Sequence, residues 1–281
     1  MRGIGRSSGA ISIVNAIPAG IGCAVGVRLH LLAEAEVDRA GAPTVEVDPP
    51  TSSTAVVAAA GRAALAAVDA AHPYSLRLRI DSEVPVGRGL KSSSAVATAA
   101  IGAVFDAFGR SAPPEEIARL AAEAGRRAGV SATGAFDDAL AGLVPGFVVT
   151  DNRVDRLLMR APVDPAWVAI VHLPTDPHPP VPDLVERFRG EAAEGAAAAD
   201  DARAGRWAAA MERNSDLVER AMGYDYAALR RAFRSAGAWA SGVSGVGPAL
   251  VALADRARAA DVLARAPPAR FAVPLASEAH P

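Results

Sequence analysis

The chain has 281 residues, of which 51% are hydrophobic and 21% charged, with a formal net charge of −2. That length suffices for one large or two modest domains with their own cores, and the composition excludes a disordered chain. A near-neutral balance with 5% aromatics and no basic stripe argues against nucleic acid or a membrane surface as partner, so a small molecule is expected.

The lone cysteine, Cys23, excludes an intrachain disulfide, and no HExxH or CxxC spacing points to zinc. No secretory pattern is read in Met1 to Ala10, and the alanine-rich stretch from Ala55 to Ala71 is interrupted by Gly61, Arg62 and Asp69. The cytoplasm is therefore the expected compartment. His30, His72, His172, His178 and His280 are scattered and read as surface or packed imidazoles.

In chain order, Gly9 to Val27 is small and apolar, and Leu29 to Val47 alternates around a turn at Asp38 to Pro43, which predicts an antiparallel β start. Ser53 as cap, followed by Val56, Val57, Ala60, Ala64, Leu65 and Val68, predicts a first helix. Tyr74 to Asp81 places Leu76, Leu78 and Ile80 on one face, a half-buried strand. A glycine turn leads from it into a helix carrying Val96, Ile101, Val104 and Phe105 and stopping at Gly109.

Prolines and acids from Ser111 to Glu116 open a further helix, and Gly129 to Gly146 reads as a turn, an acidic motif and a brief helix near Ala139. Phe147 to Thr150 is a strand, after which a domain boundary is expected near Asp151, dividing 1–150 from 151–281. The second half predicts a strand at Trp167 to Leu173, helices around Val181 to Glu191, Asp200 to Met222 and Tyr226 to Ala236, and strands at Leu250 to Leu253 and Phe271 to Pro274. Thr175 to Pro182 and Glu191 to Ala204 read as connectors, or as a lid.

The chemistry concentrates in Pro85-Val86-Gly87-Arg88-Gly89-Leu90-Lys91-Ser92-Ser93-Ser94-Ala95. Of 29 basic residues only Lys91 is lysine, leaving 28 arginines, so a compact ammonium was kept in this one loop. A Walker A loop needs glycine directly before the lysine; Leu90 stands there, which excludes it. What remains is a different phosphate cradle: Gly87 and Gly89 can turn backbone N–H groups inward, and a helix beginning near Ser92 adds its positive end.

Pro85 to Ala95 resembles the central motif of the GHMP kinase superfamily, in the form seen in its archaeal-type shikimate kinase branch. Thr133-Gly-Ala-Phe-Asp-Asp-Ala139, Gly242-Val-Ser-Gly-Val-Gly-Pro248 and the segment from Ser8 to Gly26 resemble further motifs of that branch, in the expected order. The resemblance implies a two-domain α+β fold, a ribosomal protein S5 domain 2-like N-terminal domain and a ferredoxin-like α/β sandwich. It implies transfer of the γ-phosphate of ATP to a hydroxyl of shikimate with Mg²⁺, in a monomer or homodimer. ATP would sit on Pro85 to Ala95 with Ser244 and Gly245.

By the same resemblance Asp137 aligns with the catalytic base, assisted by Lys91, with Asp138 as its orienting neighbour or a helix cap. Ser93 and Glu123 would hold the metal, and Asn15, Gly20, Gly22 and Thr133 would join Asp137 in the acceptor wall. Another small-molecule kinase of the superfamily, acting on homoserine, pantoate or mevalonate, is the alternative, and a non-catalytic S5-like binding module is a second.

Overall fold

The computed structural model describes residues 1–50, 53–174, 184–268 and 270–278. The loop expected from Thr175, the first residues of the helix expected from Val181, and His178 and His280 lie outside these residues. Two sheets form the frame. The first is built from β1 (Arg2–Val14), β2 (Ile21–Arg39), β3 (Thr44–Val47), β4 (Tyr74–Ser82), β5 (Phe147–Asp151) and β6 (Arg156–Ala161).

β2 is long enough to serve two partners along one edge: its first residues, Ile21 to Val25, pair with β5, and Leu31 to Arg39 pair with β4. β1 pairs with its other edge, antiparallel throughout, and β3 adds to β4 in parallel. One face of this sheet is covered by α1 (Thr54–Val68), α2 (Ser92–Ala107), α3 (Pro114–Arg127) and α4 (Phe136–Ala141). Alanines let α2 lie close on β1: a Cβ on Gly5 would stand 2.0 Å from the carbonyl oxygen of Ala99.

The second sheet has the order β10-β7-β9-β8, formed by β7 (Trp167–His172), β8 (Ala240–Val243), β9 (Leu250–Asp255) and β10 (Arg270–Pro274), all antiparallel. Strand alternation divides its side chains cleanly. Ala169, Val171, Val251 and Leu253 meet the first sheet and α6 (Ala192–Arg203) in one core, whereas Val168, Ile170, Leu250 and Ala252 meet the opposite core. That outer core is closed by α7 (Trp207–Met222), α8 (Ala227–Ser235) and α9 (Ala259–Leu263); α5 (Leu184–Arg187) precedes α6.

Four expectations change. β6 belongs to the first sheet, so sheet membership changes between Ala161 and Trp167 and not at Asp151. The helix expected over Asp200 to Met222 is two helices broken at Gly205, whose φ of +73° ends α6 in the left-handed region. The supposed connector from Glu191 is α6 itself, an alanine helix whose Ala198, Ala199 and Ala202 are fully packed despite lacking a large apolar stripe. α4 begins at Phe136, three residues earlier than the expected Ala139, and neither of its aspartates caps it through the side chain.

Candidate active site

The glycine turn between β4 and α2 ends on Lys91, which takes φ 66°, ψ 31° at the N-cap of α2. This left-handed conformation is uncommon for a residue with a Cβ and costs on the order of 1 kcal/mol. It aims the side chain across the site: Lys91 Nζ lies 3.1 Å from Asp138 Oδ2, with both side chains almost fully enclosed. On its other flank a Cβ on Gly245 would stand 2.6 Å from Nζ, so the ammonium passes between α4 and the C-terminal glycine turn.

That turn is stitched to the phosphate loop by one buried hydroxyl. Ser244 Oγ donates to the carbonyl of Gly89 at 2.7 Å and accepts from the Ser12 amide at 3.0 Å. Gly89 has φ +86°, and a Cβ there would lie 2.5 Å from the Ser244 carbonyl oxygen, so only glycine lets the two turns touch. Asn15 Nδ2 donates to the Gly245 carbonyl at 3.2 Å and fixes the turn from the β1–β2 side.

Asp137 and Asp138 occupy the first turn of α4, where the helix N-terminus favours negative charge. Asp137 is buried against β2: a Cβ on Gly22 would fall 2.3 Å from its Oδ2. Asn152 Nδ2 donates to Asp137 Oδ1 at 2.7 Å, and Thr150 Oγ1 donates in turn to Asn152 Oδ1 at 2.6 Å. Burial, then the neighbouring Asp138 charge, push the Asp137 carboxyl from its ordinary value of 3.8 up to about 7; Lys91 and the Asn152 hydrogen bond pull it down. A carboxyl so tuned is a base suited to neutral pH. Burial likewise raises the nearby Cys23 thiol, which keeps it in its inert protonated form.

These groups wall a cavity of about 450 Å³, reached by Gly87, Gly89, Lys91, Ser92, Ser93 and Ser94 of the loop, by Thr133, Asp137 and Asp138, and by Asn15 and Gly245. A second cavity of about 590 Å³ shares Ala16, Ile17, Ala132 and Thr133 with it, and contains Gly20, Asn152 and Arg153. The structure thus brings together most of the residues singled out in the sequence, but not all in one role. Pro85, Val86 and Ala95 do not line the cavity, Leu90 is buried in the core between the sheets, and Arg88 turns to the carbonyl of Pro174 at 2.9 Å.

Glu123 stands on the face of α3 away from the cavity, which Ala121 and Gly125 line, and pairs with Arg127 one turn on. Asp138, by contrast, lines the cavity, and its Oδ1 is buried with no hydrogen-bond partner among the described residues. Thr150, Asn152 and Arg153 were missed by the sequence reading. Their position at the end of a short apolar strand and in the loop just after it was the one available signal, because loops held by a rigid scaffold commonly carry site residues.

Two family profiles match the chain, GHMP kinases N terminal domain over residues 60–146 and GHMP kinases C terminal over 193–273. The chain belongs to the GHMP kinases and is an ATP-dependent small-molecule kinase of that family. It is 35% identical over 263 residues to the shikimate kinase of Pyrococcus abyssi, covering 91% of this chain and 92% of that one. With the shikimate kinase of Methanothermobacter thermautotrophicus it shares 33% over 265 residues, 92% of this chain and 89% of the relative. Among solved structures, the Methanococcus jannaschii mevalonate kinase superposes with a TM-score of 0.72 at 12% identity over 99% of both chains, a likeness of fold.

Proposed function

We propose that this chain is a shikimate kinase, moving the γ-phosphate of ATP to the 3-hydroxyl of shikimate to give shikimate 3-phosphate and ADP. The observation that carries the reading is the pairing of the glycine cradle with a buried acid: Lys91 of the cradle touches Asp138, and Asp137 beside it is tuned toward neutral pH. The choice of acceptor follows the whole-length similarity to archaeal shikimate kinases.

Phosphoryl transfer asks a protein for position and charge neutralisation more than for covalent chemistry. The amides of Gly87 and Gly89, the start of α2 and the Lys91 ammonium face the donor phosphates. Asp137 accepts the acceptor hydroxyl's proton, at the carboxylate oxygen that Asn152 does not hold. The Thr150–Asn152 chain keeps that carboxylate from rotating, and the burial that raises its affinity for a proton also excludes water.

Mg²⁺ fits the residues present. It takes oxygen ligands, usually one or two carboxylates with phosphate oxygens and water. The Ser93 hydroxyl and the Asp138 carboxylate are oxygen donors from residues that line the cavity. Bound there, the ion would neutralise phosphate charge.

We take the two domains to divide where sheet membership changes, between Ala161 and Trp167, with the contact of the phosphate loop and the Ser244 turn at their seam. Among the described residues no helix is long and apolar enough to cross a membrane. We place the enzyme in the cytoplasm as a monomer or homodimer.

A coupled ADP assay over shikimate, homoserine, pantoate and mevalonate tests the reading. Shikimate should be the acceptor turned over, and Asp137→Asn should lower kcat by about 10²–10⁴ while the fold persists. Turnover of another alcohol in preference, or full activity in Asp137→Asn, would remove the proposal.

A further inference from the structure

We infer that the second cavity receives the carboxylate of the acceptor and that Arg153 is its anchor. This deepens the kinase reading and rests on it. Asn152 forms part of the cavity wall and also holds Asp137 Oδ1, and Arg153 is the next residue, so the cavity lies directly behind the base. An acceptor with its hydroxyl at Asp137 must extend its body along the shared wall of Ala16, Ile17, Ala132 and Thr133.

Arg153 is held in place before any ligand arrives. Its Nε and Nη2 donate to Asp151 Oδ1 and Oδ2 at 2.8 and 2.7 Å, and its backbone amide donates to the same carboxylate at 3.1 Å. The guanidinium offers five N–H donors and Asp151 takes two. The edge formed by Nη1 and the second hydrogen of Nη2 therefore remains, and Nη1 has no hydrogen-bond partner among the described residues. That edge matches the two oxygens of a carboxylate.

Gly20 makes the arrangement possible: a Cβ there would sit 2.6 Å from Arg153 Cδ, and its carbonyl accepts the Asn152 amide at 2.8 Å. Gly20 and Gly22 are two residues apart, at most about 7 Å along the chain, so the arginine stem and the base rest on one short stretch of backbone. A second guanidinium, Arg126, borders the cavity but is committed to Asp155 and the Thr133 carbonyl. Arg119 donates to the Asp155 carbonyl, and the charge of Arg156 is felt at Asp151. The two guanidiniums on the cavity wall are each paired with one carboxylate, Asp155 or Asp151, so the attraction for an anion rests on the edge of Arg153 that Asp151 leaves free.

The test uses the full chain with shikimate and its carboxamide, which keeps the ring hydroxyls and loses the charge. In Arg153→Met the preference for acid over amide, as a ratio of kcat/KM, should fall roughly tenfold or more, the scale of one charge-assisted hydrogen-bond pair. The change should appear in KM for the acid. Arg153→Lys should fall between, because it keeps charge without the fork. The Arg153 side chain is 63% exposed, so its replacement leaves the core untouched.

Equal losses on acid and amide, no loss on either, or a raised KM for ATP would overturn the inference. Failure of the unaltered enzyme to phosphorylate shikimate would instead sink the acceptor assignment. The same acid and amide comparison, made on whichever carboxylated alcohol it does accept, would then judge Arg153, and an acceptor lacking a carboxylate would overturn both.

Discussion

At the scale of single residues, the Thr150–Asn152–Asp137 chain makes two separable predictions. Asn152 donates to Asp137, and a donor to the charged form favours it. Asn152→Leu should therefore move the acid limb of kcat/KM to higher pH, as read from a pH–rate profile; a drop in rate with an unmoved limb would give Asn152 a purely structural role. Asp137 also bears on stability. It titrates near 7 in the fold against an ordinary 3.8, so the stability its protonated form lends is whole below pH 3.8, declines through the interval and is gone above 7. Asp137→Asn should consequently stabilise the protein more at pH 8 than at pH 5, by on the order of 2–4 kcal/mol at the upper end, measurable by denaturant titration. The pair Asp137-Asp138 was legible in the sequence by motif. Their division of labour was not, because it depends on what each carboxylate touches: Asn152 and β2 for one, Lys91 for the other.

At the scale of elements, the three glycine-bearing segments work as one object. The phosphate turn, the Ser244 turn and the end of β1 meet through the Ser244 hydroxyl and through a missing Cβ at Gly89. Gly89→Ala should cost about 2 kcal/mol or more from its positive φ and the close Ser244 carbonyl, with a matching rise in KM for ATP. Ser244→Ala should cost about 1–3 kcal/mol, since it strands a buried amide and carbonyl. Thermal unfolding and ATP kinetics on the two variants check both. Sequence punctuation located these turns well, because glycine and proline act locally. It failed on α6, whose alanines pack into the core between the sheets without a large apolar stripe to announce it, and on the break at Gly205, where a single left-handed residue ends a helix that composition alone would continue.

At the scale of the whole molecule, one core lies between the two sheets and joins the elements that carry the site. Phe147 of β5 stacks on Trp207 at the start of α7 with centroids 4.4 Å apart and meets Trp167 of β7 edge-on, so one buried ring joins elements of both sheets. Phe147→Ala should destabilise the protein by about 3–5 kcal/mol and lower a single cooperative transition seen by both circular dichroism and tryptophan fluorescence. Two separated transitions would show instead that the layers fold independently. The sequence by itself determined the strand and helix periods, the glycine cradle around the sole lysine, the acid pair and the family, since each is written in residues close together along the chain. Only the tertiary structure decided which strand closes the first sheet, that Glu123 faces away while Asp138 meets Lys91, and that Asn152 and Arg153 stand behind the base. Those facts are fixed by packing between segments far apart in the chain, where neither local propensity nor spacing carries information about direction.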